Sequence, residues 1–388
     1  MALRTVRIGD LGRVVTGRTP SSSRPECFGE DYPFLTPTDI DGLSRYVAPQ
    51  RLLSPEGHDA QSRLLLPARS VCVVCIGATI GKVCMTSRPS FTNQQINSVV
   101  VKEAEYDPFF VYYLLTTLKD SLKANAGGAA TPIINKTTFS EMAVAVPAIS
   151  HQRRIARILS NYDDLIEIND RRVRILEEIA RALYREWFVN FRFPSHRDTP
   201  RVPSSVGLVP RGWGVRRIDE ALHFVSGKTI DREDRTNGNI PVYGANGIIG
   251  YTSNPHMADR CIVVGKIGSC GALHRSHKPC WVTNNAFLVT PAAIESLELA
   301  WQILADVDFR QYVGGAANPY MPITNFGQRE VLTPPASVES QFVRHAGPLR
   351  RLAESLSDGI ENLRQTRDLL LPRLLSGQIN VDAVETAA

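Results

Sequence analysis

Apolar residues recur at every seventh position in two long segments of the chain, with a second apolar position four residues after each. This heptad pattern is typical of helices that bury one seam against another helix. It predicts a central helix over 150–192 and a C-terminal helix over 336–378. The predicted seam positions are Ile155, Tyr162, Asn169, Leu176, Leu183, Phe342, Leu349, Leu356, Leu363 and Leu370.

Helices of this length are not stable alone in water, so we expect the two to pair as an antiparallel coiled coil. Asn169 is a polar residue at a seam position. It either fixes the register of the pair or is tolerated at the exposed margin of the seam, and the pattern leaves both readings open.

The rest of the chain alternates short apolar runs with Gly, Pro and Asn turns, which is typical of mixed α and β structure. Strands are expected at Ser70–Ile76, Ile96–Val101 and Cys261–Gly265, and a helix at Pro108–Lys123. The pattern predicts one globular domain over 1–149 and a second over 213–335, with an exposed linker over 193–212 and a tail over 379–388.

The second half of the chain repeats the first. Ile8 and Gly17 recur with the same spacing as Ile218 and Gly227, and Thr92-Asn93-Gln94 is matched by Thr283-Asn284-Asn285. The predicted fold class is therefore α+β, with two tandem pseudo-repeated domains that are each followed by a long helix.

The amino-acid composition excludes few classes of protein. The net charge of +5 permits a polyanionic partner without requiring one. The N-terminus has no apolar signal segment, and no uncharged run approaches the ~18 residues that a membrane span needs, so we expect a soluble cytoplasmic protein. The seven cysteines have no disulfide-framework spacing and are expected to be reduced.

Catalytic and cofactor motifs are missing. The run Gly77–Lys82 lacks the spacing and the final Ser or Thr of a phosphate-binding loop, and is better read as a turn. Two cysteines at Cys72 and Cys75 lie in an apolar strand, and the set Cys270, His274, His277 and Cys280 is a weak zinc candidate. Asn318-Pro319-Tyr320 is only part of an amino-methyltransferase motif. We expect no catalytic, cofactor-binding or metal-binding residues in this chain.

The remaining polar residues are of the types that contact nucleic acid. Amide side chains can read base edges, and the candidates are Gln94, Gln95, Asn97, Asn246, Asn284 and Asn285. Cationic side chains can hold phosphates, and the candidates are Arg18, Lys82, Lys136, Lys228 and Lys266. For each of them taken singly, an ordinary turn or surface residue is the stronger interpretation.

Two globular domains that are each closed by a heptad helix resemble the DNA specificity subunit of type I restriction-modification enzymes. The most specific pieces are Thr16–Ser21, Gly207–Trp213, Tyr184–Phe188 and Leu370–Gly377, together with the Pro-x-x-x-x-Gln start of the central helix. The resemblance covers nearly the whole chain.

This resemblance implies two target recognition domains, each reading half of an asymmetric bipartite DNA sequence, with the helices spanning the unread spacer. It implies a non-catalytic subunit that docks two methyltransferase subunits and restriction-translocase subunits. S-adenosylmethionine, ATP and magnesium are then expected on those partners, in a system for phage defence. The alternative from the residues is a coiled-coil scaffold that joins proteins and binds no DNA.

Overall fold

The computed structural model describes residues 2–126, 132–236, 238–257, 259–315 and 319–379. The chain forms two compact units, and each combines a globular domain with parts of both long helices. Unit 1 comprises Met1–Ile168 and Gly359–Ala388, and unit 2 comprises Asn169–Asp358. The predicted tail lies outside the described residues, apart from Ile379.

Unit 1 contains ten strands and the start of the first long helix within its described residues. The strands are β1 (Arg4–Arg7), β2 (Gly12–Thr16), β3 (Phe28–Gly29), β4 (Tyr32–Leu35), β5 (Arg51–Leu53), β6 (Val71–Val74), β7 (Val83–Met85), β8 (Phe91–Thr92), β9 (Ile96–Val101) and β10 (Ala143–Val146). The helices are α1 (Ile8–Leu11), α2 (Pro55–Ala60), α3 (Pro108–Thr116), α4 (Lys119–Asn125), α5 (Lys136–Glu141) and α6 (Ile149–Tyr184).

The central sheet of unit 1 has the strand order β2-β9-β6-β7, and a second sheet has the order β3-β5-β4-β8. Strand β6 is apolar at every position because it is buried on both faces. Val71 and Val73 point into the core formed with α3, while Cys72 and Val74 point into a second apolar cluster with Leu35. The predicted strand and helix in this region are confirmed, although Pro108–Lys123 divides into α3 and α4.

Unit 2 repeats this arrangement. Its described strands are β11 (Arg201–Ser204), β12 (Gly207–Pro210), β13 (Gly214–Arg217), β14 (Leu222–Ser226), β15 (Ile240–Gly244), β16 (Gly247–Thr252), β17 (Cys261–Gly265), β18 (Leu273–Ser276), β19 (Trp281–Val282), β20 (Ala286–Pro291) and β21 (Glu330–Thr333). The helices are α7 (Ile218–Ala221), α8 (Leu297–Ala305), α9 (Ile323–Phe326) and α10 (Ala336–Leu375). The central sheet order β14-β20-β17-β18 matches that of unit 1, strand for strand.

Most residues of the predicted linker over 193–212 are exposed, but the segment also contains regular structure. Strands β11 and β12 form an antiparallel hairpin there. The Phe193 side chain is 4% exposed, and its ring lies 5.6 Å from that of Trp213. Buried aromatic area therefore holds the segment against unit 2, despite its Pro and Ser content.

The two long helices occur where the heptad pattern places them. Helix α6 is followed by a π-helical turn over Arg185–Val189. All ten predicted seam positions are buried or half-buried. In unit 1, Ile155 and Leu159 share a core with Leu374, and Asp163 pairs with Arg367.

In unit 2, Glu177 pairs with Arg350, and the rings of Trp187 and Phe342 lie 6.1 Å apart. Within each unit, therefore, the numbering of the two helix segments runs in opposite directions, and their packing is antiparallel. The role of Asn169 in fixing the register stays a prediction.

Each long helix is tied to its domain by one buried polar side chain in its first turns. The Gln152 side chain is 0% exposed, and its Oε1 accepts a hydrogen bond of 3.0 Å from the backbone N–H of Asp107, directly before α3. In unit 2, Glu339 Oε1 accepts from the backbone N–H groups of Glu295 and Ser296, directly before α8. Both contacts satisfy donors that a helix start leaves unpaired.

Candidate nucleic-acid interface

The candidate residues of unit 1 converge where β2 ends. The backbone N–H of Gly17 donates to the carbonyl of Ile96 at 3.2 Å, and that of Arg18 donates to the carbonyl of Thr92 at 2.9 Å. A Cβ at Gly17 would lie 2.1 Å from the Thr92 oxygen, so only glycine permits this approach. The approach brings the exposed Arg18 beside the turn that contains Gln94.

Two further segments complete this surface. The backbone N–H of Cys75 donates to the Gln95 carbonyl, and the N–H of Ile134 donates to the Cys75 carbonyl, each at 2.8 Å. Lys136 is exposed in the first turn of α5. We call the surface formed by residues 16–19, 75–77, 92–97 and 132–136 edge 1.

Unit 2 builds the same surface with the same backbone bonds. The N–H of Lys228 donates to the Val282 carbonyl, and the N–H of Lys266 donates to the Asn285 carbonyl, each at 2.9 Å. The N–H of Met321 then donates to the Lys266 carbonyl, also at 2.9 Å. We call the surface formed by residues 226–229, 265–268, 282–287 and 319–323 edge 2.

These bonds correct the alignment of the repeat. Because Thr92 and Val282 accept equivalent bonds, Gln94 corresponds to Asn284 and Gln95 to Asn285. The sequence match of Thr92-Asn93-Gln94 with Thr283-Asn284-Asn285 is thus wrong by one residue. Both domains present two consecutive amide side chains at the same place.

Most candidate side chains are accessible. Gln95 and Lys266 are half-exposed, and the exposed ones are Arg18, Gln94, Lys136, Lys228, Asn246, Asn284 and Asn285. Asn246 lies in the turn between β15 and β16. One exposed amide is already oriented, since Thr19 Oγ1 donates to Gln94 Oε1 at 2.7 Å.

Two candidates have side chains that serve the interior of unit 1 and are not presented to a ligand by edge 1. The Asn97 side chain is 2% exposed, and its Oδ1 accepts from Thr16 Oγ1 at 2.6 Å. Lys82 Nζ donates to the Ile40 carbonyl at 2.8 Å and is half-buried. These contacts stabilise the domain and leave little of either side chain for a ligand.

One residue of edge 2 was missed as a base-contacting candidate. Tyr320 is 41% exposed, and Lys266 Nζ lies 5.7 Å from the centre of its ring. The only sequence signal was the incomplete Asn-Pro-Tyr motif, which was considered for a different chemistry. Its first residue, Asn318, lies outside the described residues.

The four residues of the weak zinc candidate have other contacts, and the half-buried Cys270 thiol donates to the Lys266 carbonyl at 3.1 Å. Cys280 Sγ lies 3.6 Å from Cys261 Sγ in the core, and His277 contacts Asp358. Burial raises the pKa of the Cys75 thiol to about 11. Across the described ranges, no three His, Cys, Asp or Glu side chains are grouped to hold a metal ion. No helix in those ranges is long and apolar enough to cross a membrane.

Comparison with known proteins covers most of the chain. The family model described as "Type I restriction modification DNA specificity domain" matches residues 3–179 and 210–344. The chain is 24% identical to the specificity subunit of the type I restriction enzyme MjaIX of Methanocaldococcus jannaschii, over 97% of this chain and 93% of that protein.

Two further similarities are shorter or more distant. The chain is 40% identical to the HindI specificity subunit of Haemophilus influenzae, over 36% of this chain and 31% of that protein. The crystal structure of a type I restriction-modification S subunit from M. genitalium aligns with a TM-score of 0.59 and 16% identity, over 96% of each chain. This structural likeness supports the fold.

Proposed function

Because this chain belongs to the family of type I restriction-modification DNA specificity subunits, we propose that it reads an asymmetric, bipartite double-stranded DNA target. Edge 1 reads one half-site and edge 2 reads the other, through the major groove. The observation that supports this most directly is the shared backbone of the two edges with different side chains upon it. Equivalent scaffolds with unequal side chains are what two unequal half-sites require.

Each edge has side chains suited to base contacts and side chains suited to phosphate contacts. An amide side chain matches the N6 and N7 groups of adenine, and Gln94 and Asn284 are exposed amides at equivalent positions. Arg18 and Lys228 are exposed cations at equivalent positions beside them, as contacts to phosphates require. Phosphate contacts position the protein on DNA, while base contacts supply the specificity.

We propose that the long helices dock the catalytic partners. Helix α6 exposes Leu165 and Ile168 in unit 1, and Ile175 and Ile179 in unit 2, each between 44% and 49% exposed. Exposed apolar side chains that share a helix face are a common feature of protein interfaces. Two methyltransferase subunits are the proposed occupants, and restriction-translocase subunits join the complex for cleavage.

We assign the methyl transfer and the DNA cleavage to those partner subunits. The chain has no glycine-rich strand-to-helix turn for S-adenosylmethionine and no complete phosphate-binding loop. We therefore place S-adenosylmethionine, ATP and magnesium on the partner subunits. In this scheme the chain selects the DNA and catalyses no step.

The test uses the full chain mixed with the methyltransferase subunit of its own system. Sequencing that detects N6-methyladenine should show a two-part target only when both proteins are present. DNA affinity should fall linearly with the logarithm of salt concentration, because bound phosphates release counterions. Methylation of the same target without this chain would contradict the proposal, and so would the absence of DNA binding, which a pure scaffold predicts.

Docking is tested separately. Changing Ile175 and Ile179 to Ser should abolish co-elution with the methyltransferase and leave the thermal unfolding of the chain unchanged. Leu208→Ser is the matched control, since Leu208 is 60% exposed and lies in β12, outside both long helices. Equal co-elution of both variants would exclude this face of α6 as the docking site.

A further inference from the structure

The two edges differ most at four equivalent positions beneath the shared backbone bonds. The bridge between Ile76 and Ile133 in unit 1 corresponds to the bridge between Ile267 and Tyr320 in unit 2. Together with the backbone hydrogen bonds of the two edges, this correspondence makes Cys75 equivalent to Lys266, and Ile133 equivalent to Tyr320. It also pairs Thr16 with Ser226 and Asn97 with Phe287.

In unit 1 these positions form a closed, neutral group. The Cys75 side chain is 1% exposed, and Asn97 bonds to Thr16 in the interior. Ile133 is the accessible member, at 52% exposed. Edge 1 therefore has no cation at this place.

In unit 2 the same positions hold an oriented ammonium group. Lys266 Nζ donates to Ser226 Oγ at 3.1 Å and lies 5.3 Å from the centre of the Phe287 ring, while the Tyr320 ring flanks it. The electron-rich faces of two aromatic rings attract a cation and restrict the lysine stem. Within the described part of unit 2, no carboxylate pairs with this ammonium.

An ammonium held in this way has a definite preference among bases. It only donates hydrogen bonds, and after the bond to Ser226 it has two donors left. Guanine presents two adjacent acceptors, O6 and N7, in the major groove. Adenine places an amino donor beside N7, cytosine presents an amino donor, and thymine offers the single acceptor O4 beside its methyl group. A phosphate contact needs no such orientation, and the exposed Lys228 on the same edge suits that role.

We infer that Lys266 is a specificity-determining residue that reads a guanine in the half-site bound by edge 2, with Tyr320 as its positioning residue. This inference rests on the proposed function and adds the base that one edge selects. It also changes the role predicted from sequence, where Lys266 was a phosphate contact. Edge 1 has no equivalent guanine reader at this position.

The experiment is a selection of binding sites from randomised DNA duplexes, with the full chain assembled with its methyltransferase. Wild type, Lys266→Met, Lys266→Arg and Lys228→Met are compared. The wild type should select a guanine in one half-site, and 7-deazaguanine there, which lacks N7, should weaken binding about 10-fold or more. Lys266→Met should lose discrimination of about 10- to 100-fold at that position alone, and Lys266→Arg should retain it.

The control separates base reading from phosphate binding. Lys228→Met should keep the selected sequence, weaken binding to all sequences equally and reduce the salt slope by about one. Tyr320→Ala keeps the charge of Lys266 and should reduce guanine discrimination partially, which gives a second test should Lys266→Met fail to fold.

Three results would overturn the inference. Lys266→Met could select the wild-type sequence unchanged, or it could behave like Lys228→Met. The affected guanine could also lie in the half-site that depends on edge 1. In each of these cases the proposed function still holds if the wild-type complex selects a specific two-part target. If the wild-type complex selects no target, both the proposed function and the inference about Lys266 are contradicted.

Discussion

Asp163 of α6 and Arg367 of α10 form an ion pair inside unit 1, with 2.5 Å between Asp163 Oδ1 and Arg367 Nη1. The two side chains are 4% and 11% exposed. The other carboxylate oxygen accepts a hydrogen bond of 2.5 Å from the hydroxyl of Tyr113 in α3. Burial, together with the charge of Asp163, raises the pKa of Tyr113, so the phenol stays a donor. The Asp163 carboxylate of α6 thus connects this helix to α3 of the domain and to α10.

Replacing Asp163 with Ala should destabilise unit 1 by about 3–5 kcal/mol, because Arg367 would keep only the exposed Asp368 as a carboxylate partner and the buried Tyr113 hydroxyl would lose its acceptor. Urea denaturation followed by circular dichroism measures the change. Glu103→Ala is the control, since Glu103 pairs with the exposed Arg69 at the surface of unit 1 and should have no measurable effect. The double variant Asp163→Ala, Arg367→Met should recover part of the loss. A double variant less stable than Asp163→Ala would contradict this account.

Replacing Phe342 with Ala should destabilise unit 2 by about 3–5 kcal/mol through a cavity in its core. The Phe342 side chain is 0% exposed, and its ring lies 5.0 Å from that of Phe188. Chemical denaturation monitored by tryptophan fluorescence reports on this site because Trp187 is adjacent. Leu352→Ala, at an exposed position of the same helix, should cost much less. Equal losses would mean that the helix pair is not held by this seam.

Unit 2 should lose stability as the pH falls below neutrality. Burial lowers the pKa of His274 below its ordinary value of 6.5, and Nε2 is buried without a hydrogen-bond partner. The unfolded chain therefore binds a proton that the folded chain does not, in the interval between 6.5 and the lower folded pKa. Stability is complete above this interval and is lost as the pH falls through it.

The measurement for His274 is the urea midpoint at pH 8, 7, 6 and 5. His274→Gln should flatten part of the fall, and the remainder includes His256, whose pKa burial also lowers. An unchanged pH profile in His274→Gln would show that this imidazole does not contribute.

Gly17→Ala should remove recognition of one half-site and leave the other intact. The added Cβ would collide with the Thr92 carbonyl, which forces β2 away from the turn that carries Gln94. Methylation mapping should then show a relaxed sequence in the half-site of edge 1 alone. Gly359→Ala, where a Cβ meets no atom within 4 Å, should leave the target unchanged. Relaxation of both half-sites by Gly17→Ala would contradict the division between the edges.

The long helices and several strands could be predicted because their signals are local. Helix α10 follows from a seven-residue repeat, and β9 and β17 were predicted with correct bounds. In these segments, neighbours a few residues apart decide the conformation and the buried face. The family could also be recognised, since the order of the repeated motifs survives in the chain.

The hairpin over 201–210 was missed because its Pro and Ser residues are typical of a linker, whereas the structure pairs Arg201–Ser204 with Gly207–Pro210. The repeat alignment was wrong by one residue at Gln94 because the sequence does not show which carbonyl each backbone N–H contacts. Only the partner of each backbone N–H defines which turn residues are equivalent.

The contrast between Lys82 and Lys266 shows where local patterns stop being informative. Lys82 comes directly before β7 and Lys266 directly after β17, and the sequence alone makes both of them candidate phosphate contacts. Tertiary contacts bring the Ile40 carbonyl to Lys82, and Tyr320 and Ser226 to Lys266. Residues more than 30 positions away along the chain decide whether each ammonium serves the interior or the surface. Periodicity reports burial within an element, but the partner of a polar side chain exists only once distant segments have folded together.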